Sequence, residues 1–344
     1  MKTVYYIGLD IHKKVIAYCI KAIDGRLIGE GKVAATRTAL DEWINGLPGP
    51  WLGAMEATLF TGWVYDYLSP HAVSIKVAHP QMLKAITAAK KKSDRADAEK
   101  IADLLRVNLL PECHMLPADI RELRRILRYR HHVVRTGVIM QNKISGLLME
   151  VGAEYNKKRL KGKKYFHAIL ETIAEIPASV KELLKLSRAG FEMFHAIQKK
   201  LVQTLRTDSL IRERVARLMT IRGVGEVTAL TWVLEIGDPQ RFGSIRQAVS
   251  YCGLCSAQRE SAGKEQRGPI SKQRNKHLQT ILIEAAKIGP HWNPQLAAIH
   301  DRELKKGDRN RATLAVARKL VAYMLAIDKT GIDFKIQGEA NNRA

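Results

Sequence analysis

In the first hundred residues, short apolar runs alternate with turn signals at a spacing that fits a mixed α/β sheet and little else. Val4 to Asp10 is an apolar run that closes on an acid, and Val15 to Ala22 is a second run. Asp24-Gly25 is a two-residue hairpin signal before a third, Arg26 to Val33. Ala39 to Leu47 has helical spacing and is stopped by Pro48-Gly49-Pro50. Trp51 to Ala57 reads as a fourth strand, Trp63 to Leu68 as a helix, Val73 to Val77 as a fifth strand, and Pro80 opens a further helix. A hairpin triplet followed by alternating helix and strand predicts a sheet with helices on its faces. Ligands of such sheets gather at the ends of the strands.

Acids stand at those ends. Asp10 and Glu56 close the first and fourth runs, and Asp94 and Asp97 sit three apart in Lys92-Ser93-Asp94-Arg95-Ala96-Asp97-Ala98. That spacing puts both on one helical face, near the positive end of the helix, with Ser93 as its N-cap. Taken singly, each acid is an ordinary strand-end or helix-start residue. Converging together, they would repel one another and hold protons unless divalent cations joined them. Magnesium prefers carboxylate and water ligands, with manganese as an alternative. Two such ions about 4 Å apart can activate a water or hydroxyl and stabilise the leaving oxygen of a phosphodiester.

The charge balance names a partner for such metals. The 344 residues include 57 Lys and Arg against 34 Asp and Glu, a net charge of +23. That excess suits nucleic acid or an anionic membrane. No apolar stretch approaches the roughly 18 residues of a membrane span, and the N-terminal run carries Asp10 where a signal peptide stays uncharged. Nucleic acid rather than membrane is therefore expected, in the cytoplasm. The four cysteines fit a reducing compartment, and Cys252-x-x-Cys255 lacks the second ligand pair that structural zinc requires.

Beyond residue 100 helix dominates. Apolar residues recur at helical spacing from Asp119 to Gly152 and again from Ala178 to Leu205, predicting two long helices that form an antiparallel hairpin or coiled coil. Arg121, Arg124, Arg125, Arg128 and Arg135 line the first helix, a stripe able to track a phosphate backbone or to remain a solvated face. The connector Lys157-Lys158-Arg159-Leu160-Lys161-Gly162-Lys163-Lys164 carries six positive charges in eight residues and reads as a loop that orders on binding. His131 and His132 read as surface or packing residues.

In the last third, Gly223 and Gly225 in Ile221-Arg222-Gly223-Val224-Gly225 resemble a helix-hairpin-helix turn, whose following helix would offer free N–H groups to phosphate. Tyr251-Cys252-Gly253-Leu254, Glu260-Ser261-Ala262-Gly263-Lys264 and Gly268-Pro269-Ile270-Ser271-Lys272-Gln273-Arg274-Asn275 read as a polar loop. There Lys264, Lys272 and Arg274 could hold a phosphate near a hydroxyl. Ser256, Ser261 and Ser271 are equal candidates on chemistry alone.

The strings Gly8-Leu9-Asp10-Ile11-His12-Lys13, Met55-Glu56-Ala57-Thr58 and Lys92 to Ala98 resemble the signature of the DEDD transposases of insertion-sequence family 110, whose N-terminal domain is of the RuvC-like branch of the RNase H-like fold. The resemblance implies that Asp10, Glu56, Asp94 and Asp97 bind the catalytic metals. It also implies that Ser261 is the serine that attacks DNA, although Ala262 replaces the usual glycine and Ser256 the common proline. A structured guide RNA encoded by the element would pair with the DNA.

The expected organisation is a RuvC-like domain over 1–115, a helical hairpin with basic connector over 116–210, a mainly helical transposase domain over 211–335 and a polar tail over 336–344. The expected activity is cleavage and rejoining of DNA at element ends and target, by a homodimer or homotetramer. A junction-resolving nuclease, an ATP-dependent kinase of the sugar-kinase type and a non-catalytic RNA-binding protein are the rivals.

Overall fold

A computed structural model describes residues 4–86, 93–173, 176–261 and 263–335. The chain divides into two compact units, Met1–Ala118 and Asp119–Ala344. The tail expected over 336–344 lies outside the described residues.

The first unit carries strands β1 (Tyr5–Ile11), β2 (Val15–Lys21), β3 (Leu27–Ala34), β4 (Trp51–Glu56) and β5 (Ser74–Ala78). Helices α1 (Arg37–Asn45), α2 (Thr61–Leu68), α3 (Pro80–Ile86) and α4 (Asp94–Arg106) connect or cover them. The sheet runs β3-β2-β1-β4-β5. β1, β2 and β3 pair antiparallel, whereas β4 lies parallel to both β1 and β5. The Asp24-Gly25 turn forms as expected: Gly25 takes φ +90° and its N–H donates to the Ala22 carbonyl.

Strand alternation divides β1 between two cores. Ile7, Leu9 and Ile11 pack with Leu40, Val64 and Leu68 on the face covered by α1 and α2. Tyr6, Gly8 and Asp10 turn to the opposite face, where α4 crosses the sheet. Gly8 is the point of closest approach: a Cβ there would fall on the Ala98 carbonyl oxygen and the Ala102 amide, and 3.1 Å from Ala102 Cα. Ala98 and Ala102 are small enough to permit this, and both are fully buried with Ala17 and Cys19.

Ion pairs fix how far α4 slides along the sheet. Lys21, buried at the end of β2, reaches Glu99 at 3.0 Å and Asp103 at 2.6 Å on α4. Glu30 on β3 holds Arg95 at 2.6 Å, and Lys32 on the same strand holds Asp94 at 3.1 Å. Ser93 caps the helix by accepting from the Ala96 N–H, as its position predicts.

The second unit opens with α5 (Ala118–Glu150), followed by α6 (Lys163–Thr172) and α7 (Ala178–Thr207). Gly137 faces Phe194, and Gly190 faces Met140, so the two long helices run antiparallel. α6, which the helical periodicity did not predict, buries Phe166, Ile169 and Leu170 against Ile144, Leu148 and Leu184. The basic connector, expected as a loop that orders on binding, is already folded back: Leu160 is buried, and Arg188 donates to the Leu160 and Lys161 carbonyls at 2.9 and 3.1 Å.

The remaining elements are α8 (Ser209–Met219), α9 (Glu226–Ile236), α10 (Ile245–Tyr251), the hairpin strands β6 (Ser256–Ser261) and β7 (Lys264–Ile270), α11 (Lys276–Ile288), α12 (Pro294–Leu304) and α13 (Arg309–Thr330). α9 is the centre of this core and is buried from Thr228 to Ile236. Leu123 and Leu127 of α5 and Leu205 of α7 belong to the same core as α8 to α13. Two buried carboxylates tie the helices together. Asp328 accepts from Arg214 and from Trp232 Nε1, and Glu235 accepts from both Arg128 and Asn275.

One expectation is corrected here. The segment read as a polar loop is an antiparallel hairpin over 256–270, with Ser261 opposite Lys264 across its turn. The strands, Ser-Ala-Gln-Arg-Glu-Ser and Lys-Glu-Gln-Arg-Gly-Pro-Ile, are almost wholly polar and lack the apolar residue at every second position that would have signalled them.

Candidate active site

Two geometric facts gather the acids of the first unit. β1 and β4 are parallel with Leu9 opposite Met55, so Asp10 and Glu56 stand one rung further on, at the same end of adjacent strands. Their Cα atoms are then roughly 4.8 Å apart in the hydrogen-bonding direction. Both share the face of Gly8 and Ala54, and that is the face α4 covers. The crossing at Gly8 delivers the first turn of α4, with Asp94 and Asp97, beside Asp10.

Asp10 Oδ2 lies 3.1 Å from His12 Nε2, and the same nitrogen is 3.4 Å from Asp94. Ligand atoms of Asp10, His12 and Asp94 all fall within 4.8 Å of one another. Neither Glu56 nor Asp97 belongs to that group, although the charge of Asp97 acts on Asp10. Lys32 Nζ holds the other oxygen of Asp94 at 3.1 Å, and Lys100 sits 3.6 Å from Asp97.

Electrostatics follow from this placement. Burial raises the Asp10 carboxyl above the ordinary carboxylate range; His12 opposes that, and the charges of Asp94 and Asp97 reinforce it. The hydrogen bond from Lys32 lowers Asp94. A half-buried acid facing two others is a group that a divalent cation would hold ionised, so the donor set fits an oxygen-ligated metal with one nitrogen at its rim.

His12 and Lys32 were not foreseen. His12 follows Asp10 by two residues in the sequence. Lys32 is legible only through register, since Asp10 pairs with Ala17 and Ala17 with Lys32.

In the second unit the predicted residues scatter over several surfaces. Arg125, Arg128 and Arg135 are exposed, and Arg121 and Arg124 are half-buried. Arg128 makes a two-point bond with the fully buried Glu235, at 2.7 and 2.8 Å. Glu235 was missed, although a single acid within the otherwise uncharged run Val227-Thr228-Ala229-Leu230-Thr231-Trp232-Val233-Leu234-Glu235-Ile236 is its own signal. Lys157, Lys158, Arg159 and Lys161 are exposed around the connector.

Gly223 takes φ +99° and packs where a Cβ would lie 2.7 Å from Gly289 Cα, while Gly225 caps α9. Glu226, in the first turn of α9, is bonded by Arg206 at 2.7 Å. Gly253 takes φ +70° and lies against Arg274, so the Tyr251–Leu254 and Ser271–Asn275 strings pack on one another. Ser271 N–H donates to the Cys255 carbonyl and Asn275 N–H to that of Tyr251. Lys264, Lys272 and Arg274 are exposed; the side chain of Ser261 and all of Ala262 lie outside the described residues. Cys252 is buried, which pushes its thiol up to about 12, and no cysteine joins a metal-ligand group among the described residues.

Comparison with known proteins accounts for both units. A transposase model, DEDD_Tnp_IS110, matches residues 7–152, and a second, described as "Transposase IS116/IS110/IS902 family", matches residues 215–301. The chain belongs to the IS110 family of DEDD transposases. The transposase for insertion sequence element IS1328 of Yersinia enterocolitica is 24% identical, covering 97% of this chain and 99% of the relative. The transposase for insertion sequence element IS1111A of Coxiella burnetii is 27% identical over 83% of this chain and 78% of the relative. No helix among the described residues is long and apolar enough to cross a membrane.

Proposed function

We propose that the chain is a metal-dependent recombinase that cuts and rejoins DNA at insertion-sequence ends and target. The observation that carries this reading is the placement of Asp10 and Glu56 at adjacent strand ends with Asp94 and Asp97 brought to the same face by α4. The strand order β3-β2-β1-β4-β5 with an acid closing β1 supports an RNase H-like, RuvC-like assignment for this unit. Asp10, Glu56, Asp94 and Asp97 would hold two magnesium ions, with His12 at the margin. Bound there, the ions supply Lewis-acid stabilisation of a phosphodiester oxygen and lower the pKa of a coordinated hydroxyl.

The rest of the chemistry belongs to the chain. Ser261 Oγ attacks phosphorus, the bond to the leaving strand end breaks, and the departing oxygen takes the proton. The phosphoserine ester retains the bond energy, so the reverse attack by a DNA hydroxyl rejoins strands without ATP. Lys264 stands opposite Ser261 across the hairpin turn, and Lys272 and Arg274 supply further positive charge to the same segment. The helical pair over 116–210 and the part over 211–335 would serve respectively as the contact between protomers of a dimer or tetramer and as the serine-bearing module. A structured guide RNA would be bound through its backbone and shape, since few aromatic residues are available for stacking.

Incubation of labelled element-end DNA with protein, guide RNA and Mg2+ tests this. Glu56→Gln should abolish strand cleavage while nucleic-acid binding persists. Ser261→Ala should remove a protein–DNA adduct from a denaturing gel. Cleavage by Glu56→Gln at the wild-type rate would sink the metal assignment, and an adduct that survives Ser261→Ala would sink the nucleophile.

A further inference from the structure

A cleft of about 560 Å3 opens between α5 and the first turns of α11. Arg128, Arg130, Arg135 and Lys276 line it together with His131 and His277, and no carboxylate does. Like charges in a concave surface repel, and the nearest acid is already committed. Glu235 accepts two bonds from Arg128 and one from Asn275. Arg130, Arg135 and Lys276 have no carboxylate partner among the described residues.

The wall of the cleft is partly desolvated as well. Arg130 Nε is buried without a hydrogen-bond acceptor. His131 and His277 stack with ring centroids 5.0 Å apart and are hydrogen-bonded through Nδ1 atoms 3.0 Å apart. A buried donor left unpaired is destabilising, the more so when charged. The fold therefore holds a preformed concentration of positive charge whose missing partner is an anion.

The dimensions select the kind of anion. From Arg128 to Arg135 the cations extend about 10 Å along the axis of α5, at 1.5 Å per residue. No single small ion spans that, but successive phosphates of one strand, stepping about 3.4 Å along the duplex axis, do. No Phe, Tyr or Trp lines the cleft, so nothing there would stack on a base.

We infer that this cleft seats the phosphodiester backbone of a nucleic acid, with Arg130, Arg135 and Lys276 as its contacts. The inference rests on the nucleic-acid reading above and adds to it a place on the second unit distinct from the acidic pocket and the serine hairpin. It gives His131 and His277 a role as well: stacked and neutral, they fill the floor without adding repulsion.

The test measures binding of full-length protein to two probes across a salt series, a labelled 20-base-pair DNA duplex and a labelled RNA hairpin of similar size. Variants are Arg130→Gln, the surface pair Arg135→Gln/Lys276→Gln, and Lys305→Gln outside the cleft as control. The surface pair should keep the wild-type melting temperature and bind at least tenfold more weakly at about 0.1 M salt. The slope of log K against log salt should fall by about 1.8 for duplex DNA, or about 1.4 where the strand is single, as two contacts are lost. Arg130→Gln should act in the same direction while keeping a hydrogen-bonding group in place. Loss confined to one probe identifies DNA or RNA as the occupant. Wild-type protein that binds neither probe refutes the nucleic-acid reading and this inference with it. Binding whose slope is the same in wild type, cleft variants and control overturns the cleft assignment alone.

Discussion

Replacing Gly8 by Ala should damage the acidic pocket from beneath, without touching an acid. The added methyl would lie 3.1 Å from Ala102 Cα and closer still to the Ala98 oxygen and Ala102 nitrogen. Carbon atoms prefer about 3.5–4.0 Å, so α4 must retreat by roughly 1 Å. These neighbours are backbone atoms, and no change of side-chain rotamer relieves them. Overpacking of this kind costs about 1–3 kcal/mol. For a unit of about a hundred residues, 2 kcal/mol corresponds to a melting temperature lower by roughly 10 °C. A retreat of about 1 Å by the turn that carries Asp94 and Asp97 should lower cleavage about 100-fold. The control is Gly137→Ala, where the nearest atom is Phe194 Cβ at 3.6 Å and the backbone is helical. The same methyl should there stabilise by about 0.5–1 kcal/mol. Thermal unfolding, Mn2+ titration by calorimetry and strand cleavage would be measured on both. A Gly8→Ala protein that melts and cuts like the wild type would show that α4 does not lie against β1 as described.

Three further outcomes follow from the same geometry. Glu235→Ala should cost about 3–5 kcal/mol in urea unfolding, because it leaves Arg128 and Asn275 without their shared acceptor, whereas Arg128→Leu/Glu235→Leu should recover most of that; equal losses in the two variants would contradict a paired charge. Burial and the neighbouring His277 lower His131 to about 4. Its contribution is therefore complete above about pH 6.5 and lost as pH falls towards 4, by up to about 3 kcal/mol, so stability should decline over that window and less so in His131→Gln. Lys32→Ala removes a cation from Asp94 Oδ2 and should tighten Mn2+ binding in calorimetry, with little change in unfolding since the pair is exposed; weaker binding would mean that Lys32 chiefly holds Asp94 in position.

Much of the first unit was legible residue by residue. Its strands are short, patterned and separated by Gly and Pro, so the hairpin at Asp24-Gly25, the stop at Pro48-Gly49-Pro50 and the cap at Ser93 each act locally. The acids could be read for a similar reason: Asp10 and Glu56 close their strands, and a spacing of three fixes Asp94 and Asp97 on one side of a helix. Local periodicity also defined the long helices after residue 118.

What the tertiary structure alone decided depends on contacts between residues far apart in the chain. Gly8 looks like any strand glycine until α4 is laid across it. Lys32 enters the pocket only through two successive strand pairings, and Glu235 meets Arg128 across 107 positions. The short α6 escaped notice because its apolar face is a single turn or two deep, and the hairpin over 256–270 because its strands are almost wholly polar. Sequence dictates an element through forces that act within a few residues. Where an element comes to rest, and which charges it then confronts, is set by packing that no local pattern encodes.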